Sequence, residues 1–242
     1  MALWPPPLQD RATSALEREL PFATGEIRLF PGKPGLVIGA PHGTSDEATD
    51  VVGREVARRT GFGLVLAMGF AKIDAEGRRF NVNRPTQGVP GQPPSSEVYS
   101  AEARLIYERY VERVKEAAQG PVKLLVELHG NARRESASRI EVATVGVNGE
   151  EARQLRILFE QIRDAHLPAW PGAPRLEIVV EPEDRVYFSA TGAKEAGVLR
   201  LPARALHIEL PRVARTRWRA ACVGILSQFV SETSIAVEGW RA

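Results

Sequence analysis

The sequence predicts a three-layer α/β/α fold, in which helices cover both faces of a central, mixed and mostly parallel β-sheet. Short apolar runs bounded by proline and glycine alternate along the chain with longer segments of helical periodicity. Strands that alternate with helices in this way form sheets covered on both sides. Residues 122–126 are wholly apolar, which is typical of a strand buried on both faces.

Seven segments are predicted as strands, because they are apolar runs of strand length separated by turn residues. They are residues 27–30, 36–40, 64–68, 122–126, 140–145, 176–180 and 205–210. The runs at 36–40 and 122–126 end next to histidines, which directs attention to their carboxyl ends.

Four helices are predicted from apolar periodicity and from the residues that stop a helix. Residues 49–60 place Val52 and Val56 on one face, and Gly61 follows as a stop. The remaining predicted helices are residues 96–119, 150–164 and 213–229.

The domain organisation is predicted from length and from the breaks in this pattern. A chain of 242 residues is long for one α/β domain and short for two, so residues 25–242 are predicted to form a single catalytic domain. Residues 1–24 are proline-rich and then helix-like, which predicts an N-terminal arm laid on that domain. Residues 69–94 are rich in proline and glycine and predict a long loop, which at this length is usually functional or disordered.

Composition excludes several function classes. The apolar fraction of 43% and the charged fraction of 26% are ordinary for a folded protein, and a formal net charge of +2 predicts no nucleic-acid or membrane affinity. The single cysteine, Cys222, allows no intrachain disulfide and is expected to be a buried, inert thiol. No apolar run approaches the roughly 20 residues that span a bilayer, and residues 1–10 lack an apolar signal core. We therefore expect a cytoplasmic protein, of an oligomeric state that the sequence does not indicate.

Two of the four histidines follow apolar strands, and each is followed at once by glycine. His42 comes after the run 36–40, and His129 comes after the run 122–126. The crevice beyond the carboxyl ends of strands is the usual place of ligand binding in open α/β sheets. One histidine alone is often a hydrogen-bonded structural residue, but neutral imidazole is also the commonest protein ligand of zinc. The pair therefore predicts a site for one zinc ion.

A third zinc ligand is expected to be an acid close to His42. Asp46 and Glu47 follow it by four and five residues, and either could reach the metal. The longer side chain favours Glu47, with Asp46 as the alternative. The other acid would stabilise the start of the helix at 49–60.

Glu209, on the strand 205–210, is the candidate general base, because water at a zinc site needs a proton acceptor. It could instead form a structural ion pair with a neighbouring arginine. His207 shares its face by the two-residue period of a strand, and Glu127 shares the face of His129. Both are candidates to orient the site by hydrogen bonding, and His207 is also an alternative ligand.

Asn83 and Arg84 in the loop, and Arg134 shortly after His129, are candidates to bind the substrate. Arginine can hold a carboxylate through two parallel hydrogen bonds, and a neighbouring amide can complete the grip. The alternative for each arginine is plain solvation. This set predicts a small anionic substrate.

The order of these motifs resembles that of the zinc carboxypeptidases and, more specifically, that of N-formylglutamate amidohydrolase and its relatives. The motifs are Pro41-His42-Gly43, Asn81-Val82-Asn83-Arg84-Pro85, Glu127-Leu128-His129-Gly130 and Ile208-Glu209-Leu210. Bacterial poly-gamma-glutamate hydrolases are similar in a His-Gly start with a glutamate five residues later. The carboxypeptidase pattern instead has its glutamate three residues after the first histidine, where this chain has Ser45.

The resemblance implies a zinc carboxypeptidase-like or phosphorylase/hydrolase-like form of the fold. It implies zinc ligation by His42, Glu47 and His129, with Glu209 as the general base. It also implies that the motif containing Asn83 and Arg84 holds a substrate carboxylate.

The predicted function is a zinc-dependent amidohydrolase or carboxypeptidase-like hydrolase. It would cleave an amide bond next to a carboxylate, in an N-acyl amino acid or in a glutamyl or other short peptide. One alternative is a metal-free, phosphorylase-like enzyme in which Arg84 and the glycine-flanked turns bind phosphate. Another is a non-catalytic protein of the same fold that binds an anionic ligand.

Overall fold

The computed structural model describes residues 25–43, 45–93 and 95–239 of the chain. The predicted N-terminal arm at residues 1–24 lies outside the described residues, as do Thr44 and Pro94.

The described residues contain a central sheet of seven strands and a separate two-stranded sheet. The strands are β1 (Glu26–Phe30), β2 (Lys33–Ala40), β3 (Phe62–Met68), β4 (Thr86–Gly88), β5 (Glu97–Tyr99), β6 (Leu124–Asn131), β7 (Arg139–Val145), β8 (Glu177–Val180) and β9 (Arg204–Pro211). The order in the large sheet is β1-β3-β2-β6-β9-β7-β8, and β4 pairs with β5. Strands β3, β2, β6 and β9 are parallel, whereas β1 pairs antiparallel with β3 and β7 pairs antiparallel with β9. The predicted α/β fold with a mixed, mostly parallel sheet is confirmed.

Helices cover both faces of the sheet. They are α1 (Thr49–Thr60), α2 (Ala101–Ala118), α3 (Gly149–His166), α4 (Thr191–Ala196), α5 (Arg212–Arg215) and α6 (Arg219–Gly239). One apolar cluster packs the sheet against α1, α3 and α6, where the rings of Phe159 and Phe229 stack with centroids 4.0 Å apart. A second cluster packs the other face against α2 through Ile106, Tyr110 and Val114. Each fully buried large apolar side chain contributes about 1.5–3 kcal/mol to the stability of this arrangement.

The helices differ from the sequence prediction in three places, and the short strands β4 and β5 were not predicted. The helix predicted at 96–119 begins later, because residues 97–99 pair with β4 and the Ser100 side chain then accepts a hydrogen bond from the backbone N–H of Ala103. The helix predicted at 213–229 is two helices, α5 and α6, separated by a turn at 216–218. The short helix α4 was not predicted, because six residues are too few to show a periodic apolar face.

Helix α6 also corrects the expectation that no segment could span a bilayer. Residues Arg219–Val237 are long and apolar enough by length and composition, with a mean hydropathy of 1.4. Half of that window is buried inside the structure, where α6 packs against α1 and α3. The apolar composition of α6 therefore has a structural explanation, since a helix that covers a sheet passes the same test.

Candidate metal centre

Four of the predicted site residues lie on the adjacent strands β6 and β9, and His42 follows the neighbouring strand β2. In the register of the sheet, Gly39 of β2 lies beside Glu127 of β6, which lies beside His207 of β9. Two residues further along, His129 lies beside Glu209. The three strands run parallel, so their carboxyl ends meet at one edge of the sheet. His129 lies within β6 and not beyond it, because the strand continues to Asn131.

Three histidine rings meet at this edge. The ring centroids of His42 and His129 are 5.2 Å apart, and those of His129 and His207 are 4.0 Å apart. They open into a cavity of about 480 Å³, hereafter the histidine cavity. Its lining includes His42, Asp46, Asn83, Arg84, His129, Phe188, His207 and Glu209.

Carboxylates face both ring nitrogens of His129. Its Nδ1 is 3.7 Å from Asp46 Oδ2, and its Nε2 is 3.4 Å from Glu127 Oε2. Possible ligand atoms of Glu127, His129 and His207 all lie within 4.8 Å of one another. A metal-binding group at this place is therefore possible on the chemistry and spacing of its donors.

The structure brings Asp46 to the histidines and leaves Glu47, the acid favoured from the sequence, outside the cavity. The backbone N–H groups of Ser45 and Asp46 both donate to the His42 carbonyl, which makes a tight turn. The Asp46 carboxylate then accepts a hydrogen bond from the Gly130 N–H at 3.0 Å. Glu47 points outward, where its half-exposed carboxylate pairs with Arg212 at 2.7 Å. Side-chain length favoured Glu47 as the ligand, but the turn directs the Asp46 carboxylate towards the histidines and the Glu47 carboxylate away from them.

Glu127 is a fully buried carboxylate that is held from three sides. The Tyr110 hydroxyl donates to its Oε1 at 3.1 Å, and the Asn83 amide donates to its Oε2 at 3.2 Å. Burial acts to raise the pKa of Glu127, but hydrogen bonding to His129 and the charges around it lower the pKa overall. Gly39 leaves room for this group, since a Cβ there would lie 2.6 Å from the Tyr110 hydroxyl.

The pKa values of the three histidines shift in opposite directions. Burial, followed by repulsion from His129, lowers the pKa of His42 to about 4, and the same two causes lower the pKa of His207. Burial also opposes the charged form of His129, but hydrogen bonds with Asp46 and Glu127 outweigh it and raise its pKa to about 10. The carboxylates thus favour positive charge at His129, whereas the lowered pKa values keep His42 and His207 as neutral imidazoles near pH 7, the form that binds a metal.

Glu209 and His207 form a second buried pair in the cavity. His207 Nε2 lies 3.2 Å from Glu209 Oε1. The other atoms of the pair, His207 Nδ1 and Glu209 Oε2, are buried and have no hydrogen-bond partner among the described residues. Buried polar atoms without partners are rare in native structures, and at a cavity wall they are available to a ligand.

Arg84 lines the cavity but is already engaged by a carboxylate. Its Nε and Nη2 donate to the two oxygens of Glu97 at 2.9 and 2.6 Å. Its Nη1 donates to the side-chain oxygen of Asn83 at 3.3 Å. Arg84, a candidate to bind the substrate carboxylate, is therefore held in place by Glu97 of β5. Asn83 is buried between Arg84 and Glu127.

Arg215 was missed by sequence reasoning, although it contacts three chain segments of the site. Its guanidinium donates to the carbonyls of Leu210 and Asn131 at 3.1 Å each, and also to that of Glu47. It lies directly over Gly130, where any Cβ would collide with it. The glycine after His129 was a visible signal of this close approach, but the sequence did not identify the partner. Arg134 lies outside the histidine cavity, in a neighbouring one.

Comparison with protein-family models and with curated protein sequences finds no significant match to this chain. Among solved structures, a bacteriophage poly-gamma-glutamate hydrolase aligns with a TM-score of 0.51 and 12% identity, over 92% of this chain and 94% of that one. The chain shares its fold with this hydrolase. The zinc-free apo form of YNDL aligns with a TM-score of 0.50 and 13% identity, over 86% of this chain and 90% of that one. A metallo-carboxypeptidase from Burkholderia cenocepacia aligns at 0.44 and 10% identity, over 90% and 67% of the two chains. At these identities the likeness to the first two structures establishes the fold alone, and the chemistry has to be argued from the site.

Proposed function

We propose that this protein is a metal-dependent hydrolase that cleaves an amide bond next to a carboxylate. The observation that carries the proposal is the convergence of three histidines, Asp46 and Glu209 on one cavity at the carboxyl edge of a parallel sheet. The fold that the chain shares with a poly-gamma-glutamate hydrolase supports the same class of reaction by analogy only.

His42, Asp46 and His129 are the proposed ligands, and zinc is the proposed metal. The separation of 3.7 Å between His129 Nδ1 and Asp46 Oδ2 is close to the roughly 3.3 Å between neighbouring ligands of tetrahedral zinc. Both oxygens of Glu127 are already occupied by hydrogen bonds, so we assign Glu127 to orienting His129 through Nε2. When bound, zinc would supply Lewis-acid polarisation of the substrate carbonyl and acidify water.

Glu209 is the proposed general base. Its Oε2 is buried at the cavity wall without a partner among the described residues, so it is free to accept a proton from water. His207 holds the other oxygen and keeps the carboxylate in one orientation. The pair thus gives the site a fixed proton acceptor beside the proposed ligand His129 on β6.

Arg84 and Asn83 are proposed to bind the carboxylate of the substrate. Both residues line the histidine cavity; Glu97 holds two of the guanidinium nitrogens, and the third, Nη1, donates one of its two N–H groups to Asn83, so the other N–H would be offered to the substrate carboxylate. N-acyl amino acids and glutamyl or other short peptides present an amide and a carboxylate at suitable spacing. These are the substrate classes that we propose.

The proposal is tested by metal analysis together with a panel of substrates. The protein is purified, supplied with zinc and assayed on N-acyl amino acids and on α- and γ-linked glutamyl peptides. His129→Ala is expected to lose both metal and hydrolysis. Glu209→Gln is expected to keep the metal and lose hydrolysis by about 10²–10⁴-fold, the usual contribution of a general base.

Two neighbouring acids provide a matched comparison of the ligand assignment. Asp46→Asn is expected to lower zinc content, and Glu47→Gln is expected to retain it, because only Asp46 faces the histidines. The reverse result would return the ligand role to Glu47. A wild-type protein that holds no metal and is not activated by any would overturn the proposal in favour of a metal-free enzyme or a binding protein.

A further inference from the structure

A second cavity of about 530 Å³ lies beside the histidine cavity and is basic. We refer to it as the arginine cavity. Its lining consists of Asn131, Ala132, Arg133, Arg134, Ala137, Arg212, Val213 and Thr216. Three of these residues are arginines and, within the described part of the chain, none is an acid. The cavity therefore has the charge expected of a site for an anion.

Asn131, in the wall of the arginine cavity, is a buried polar residue with an unsatisfied side chain. Only 4% of Asn131 is exposed, and neither its amide nitrogen nor its side-chain oxygen has a hydrogen-bond partner among the described residues. An amide buried in this way costs free energy unless a ligand or water satisfies it. The residue thus points to a polar occupant of the arginine cavity.

The two cavities adjoin along β6, which contributes His129 to the histidine cavity and Asn131 to the arginine cavity. His129 and Asn131 lie on the same face of the strand, because side chains alternate, and they are about 6.6 Å apart along it. Arg133 provides a second connection. Its guanidinium lies 5.4 Å from the ring of Phe188, which lines the histidine cavity. A ligand that reacts beside His129 would have to span about 6.6 Å along β6 to reach Asn131 in the arginine cavity.

The three arginines differ in how far they are already engaged. Arg133 lies 4.4 Å over the ring of Tyr187 and donates to its hydroxyl, and Arg212 pairs with Glu47 at the surface. The guanidinium of Arg134 is exposed and has no ion pair among the described residues. Arg134 is therefore the cation that remains for a ligand.

We propose that the arginine cavity binds a carboxylate at the far end of the acyl part of the substrate. This inference rests on the proposed function, in which Asn83 and Arg84 take the carboxylate on the amine side of the scissile bond. Arg134 and the Asn131 amide would then hold a second carboxylate. The substrate is thereby specified as carrying at least one carboxylate on each side of the amide.

The test compares two substrates that differ in that group alone. Glutaryl-glutamate carries the distal carboxylate, and pentanoyl-glutamate has the same chain length without it. Hydrolysis is followed with the zinc-supplied protein, and binding of both compounds to the metal-free protein is measured by titration calorimetry. The variants are Arg134→Gln, Asn131→Asp and, as a control, Arg104→Gln on α2, where Arg104 is 66% exposed and pairs only with Glu108 among the contacts observed.

We expect wild type and Arg104→Gln to prefer the glutaryl compound by roughly tenfold or more in kcat/KM, the effect of one charge-assisted hydrogen bond. Arg134→Gln and Asn131→Asp should lose that preference while retaining hydrolysis of the pentanoyl compound. Equal use of the two compounds by wild type, or a preference that survives Arg134→Gln, would overturn the inference.

The calorimetric measurement distinguishes failure of this inference from failure of the proposed function. If neither compound is hydrolysed but wild type binds the glutaryl compound more tightly than Arg134→Gln does, the cavity assignment stands and the proposed reaction fails. If both compounds are hydrolysed equally and bound equally, the reaction stands and the cavity assignment fails.

Discussion

Replacing Arg215 with methionine tests whether one side chain holds the three segments of the site together. Methionine keeps the apolar stem but removes the donors to the carbonyls of Leu210, Asn131 and Glu47. Leu210 and Asn131 are buried, so their carbonyls are not readily satisfied by water. Two buried acceptors left unpaired cost about 1–3 kcal/mol each, and removing a desolvated charge offsets part of that cost.

We therefore expect Arg215→Met to lower the free energy of unfolding by about 3 kcal/mol. In a chain of 242 residues this corresponds to a fall in Tm of about 6–12 °C. Urea denaturation followed by circular dichroism measures the first quantity and calorimetry the second. The proposed zinc site should also bind its metal more weakly, because the segments carrying Asp46 and His129 lose their common anchor.

The matched control is Arg212→Met, on the same short helix. Arg212 is 69% exposed and makes a surface ion pair with Glu47, a contact that contributes at most about 1 kcal/mol. Arg215→Lys provides a second comparison, because it keeps the charge but cannot reach three carbonyls at once. If Arg215→Met is no less stable than Arg212→Met, the anchoring role is refuted. If lysine restores full stability, charge and not geometry is responsible.

Three further predictions concern buried groups around the site and the core. Glu127→Gln should weaken zinc binding by roughly 10–100-fold, as expected for a group that orients a ligand, and unchanged affinity in a metal-buffered titration would contradict that role. Gly39→Ala should destabilise the fold by about 1–3 kcal/mol in denaturant titration, because the added Cβ would lie 2.6 Å from the Tyr110 hydroxyl. If Gly39→Ala is as stable as wild type, the Tyr110 hydroxyl that donates to Glu127 is not packed against Gly39 as described. Burial raises the pKa of the Cys222 thiol to about 12, so at pH 8 only about one thiol in ten thousand is ionised. An aromatic disulfide reagent should modify it at least about 1000-fold faster in denaturant, and rapid modification of the native protein would contradict the packing of α6.

The element order and the strands of the site could be predicted from the sequence because burial leaves a local periodic signature. A parallel strand buried on both faces is a continuous apolar run, and the histidines that follow such runs are visible without knowing the fold. The predicted segment 49–60 coincides with α1 for the same reason, since its apolar face and its terminal glycine are both local features. The prediction failed for α4, which is too short to show a periodic apolar face. It also failed at the start of α2, where residues predicted as helix form the strand β5.

The partners of the charged residues were decided only by the tertiary structure. Asp46 and Glu47 are adjacent in the sequence, yet one faces His129 and the other pairs with Arg212, because a turn closing on the His42 carbonyl directs them to opposite sides. Arg215 gave no local signal, since its three acceptors come from segments up to 168 residues away in the sequence. Residue type and spacing specify which groups are able to bind or to pair, but hydrogen bonding depends on distance in space, and that distance exists only once the sheet has formed.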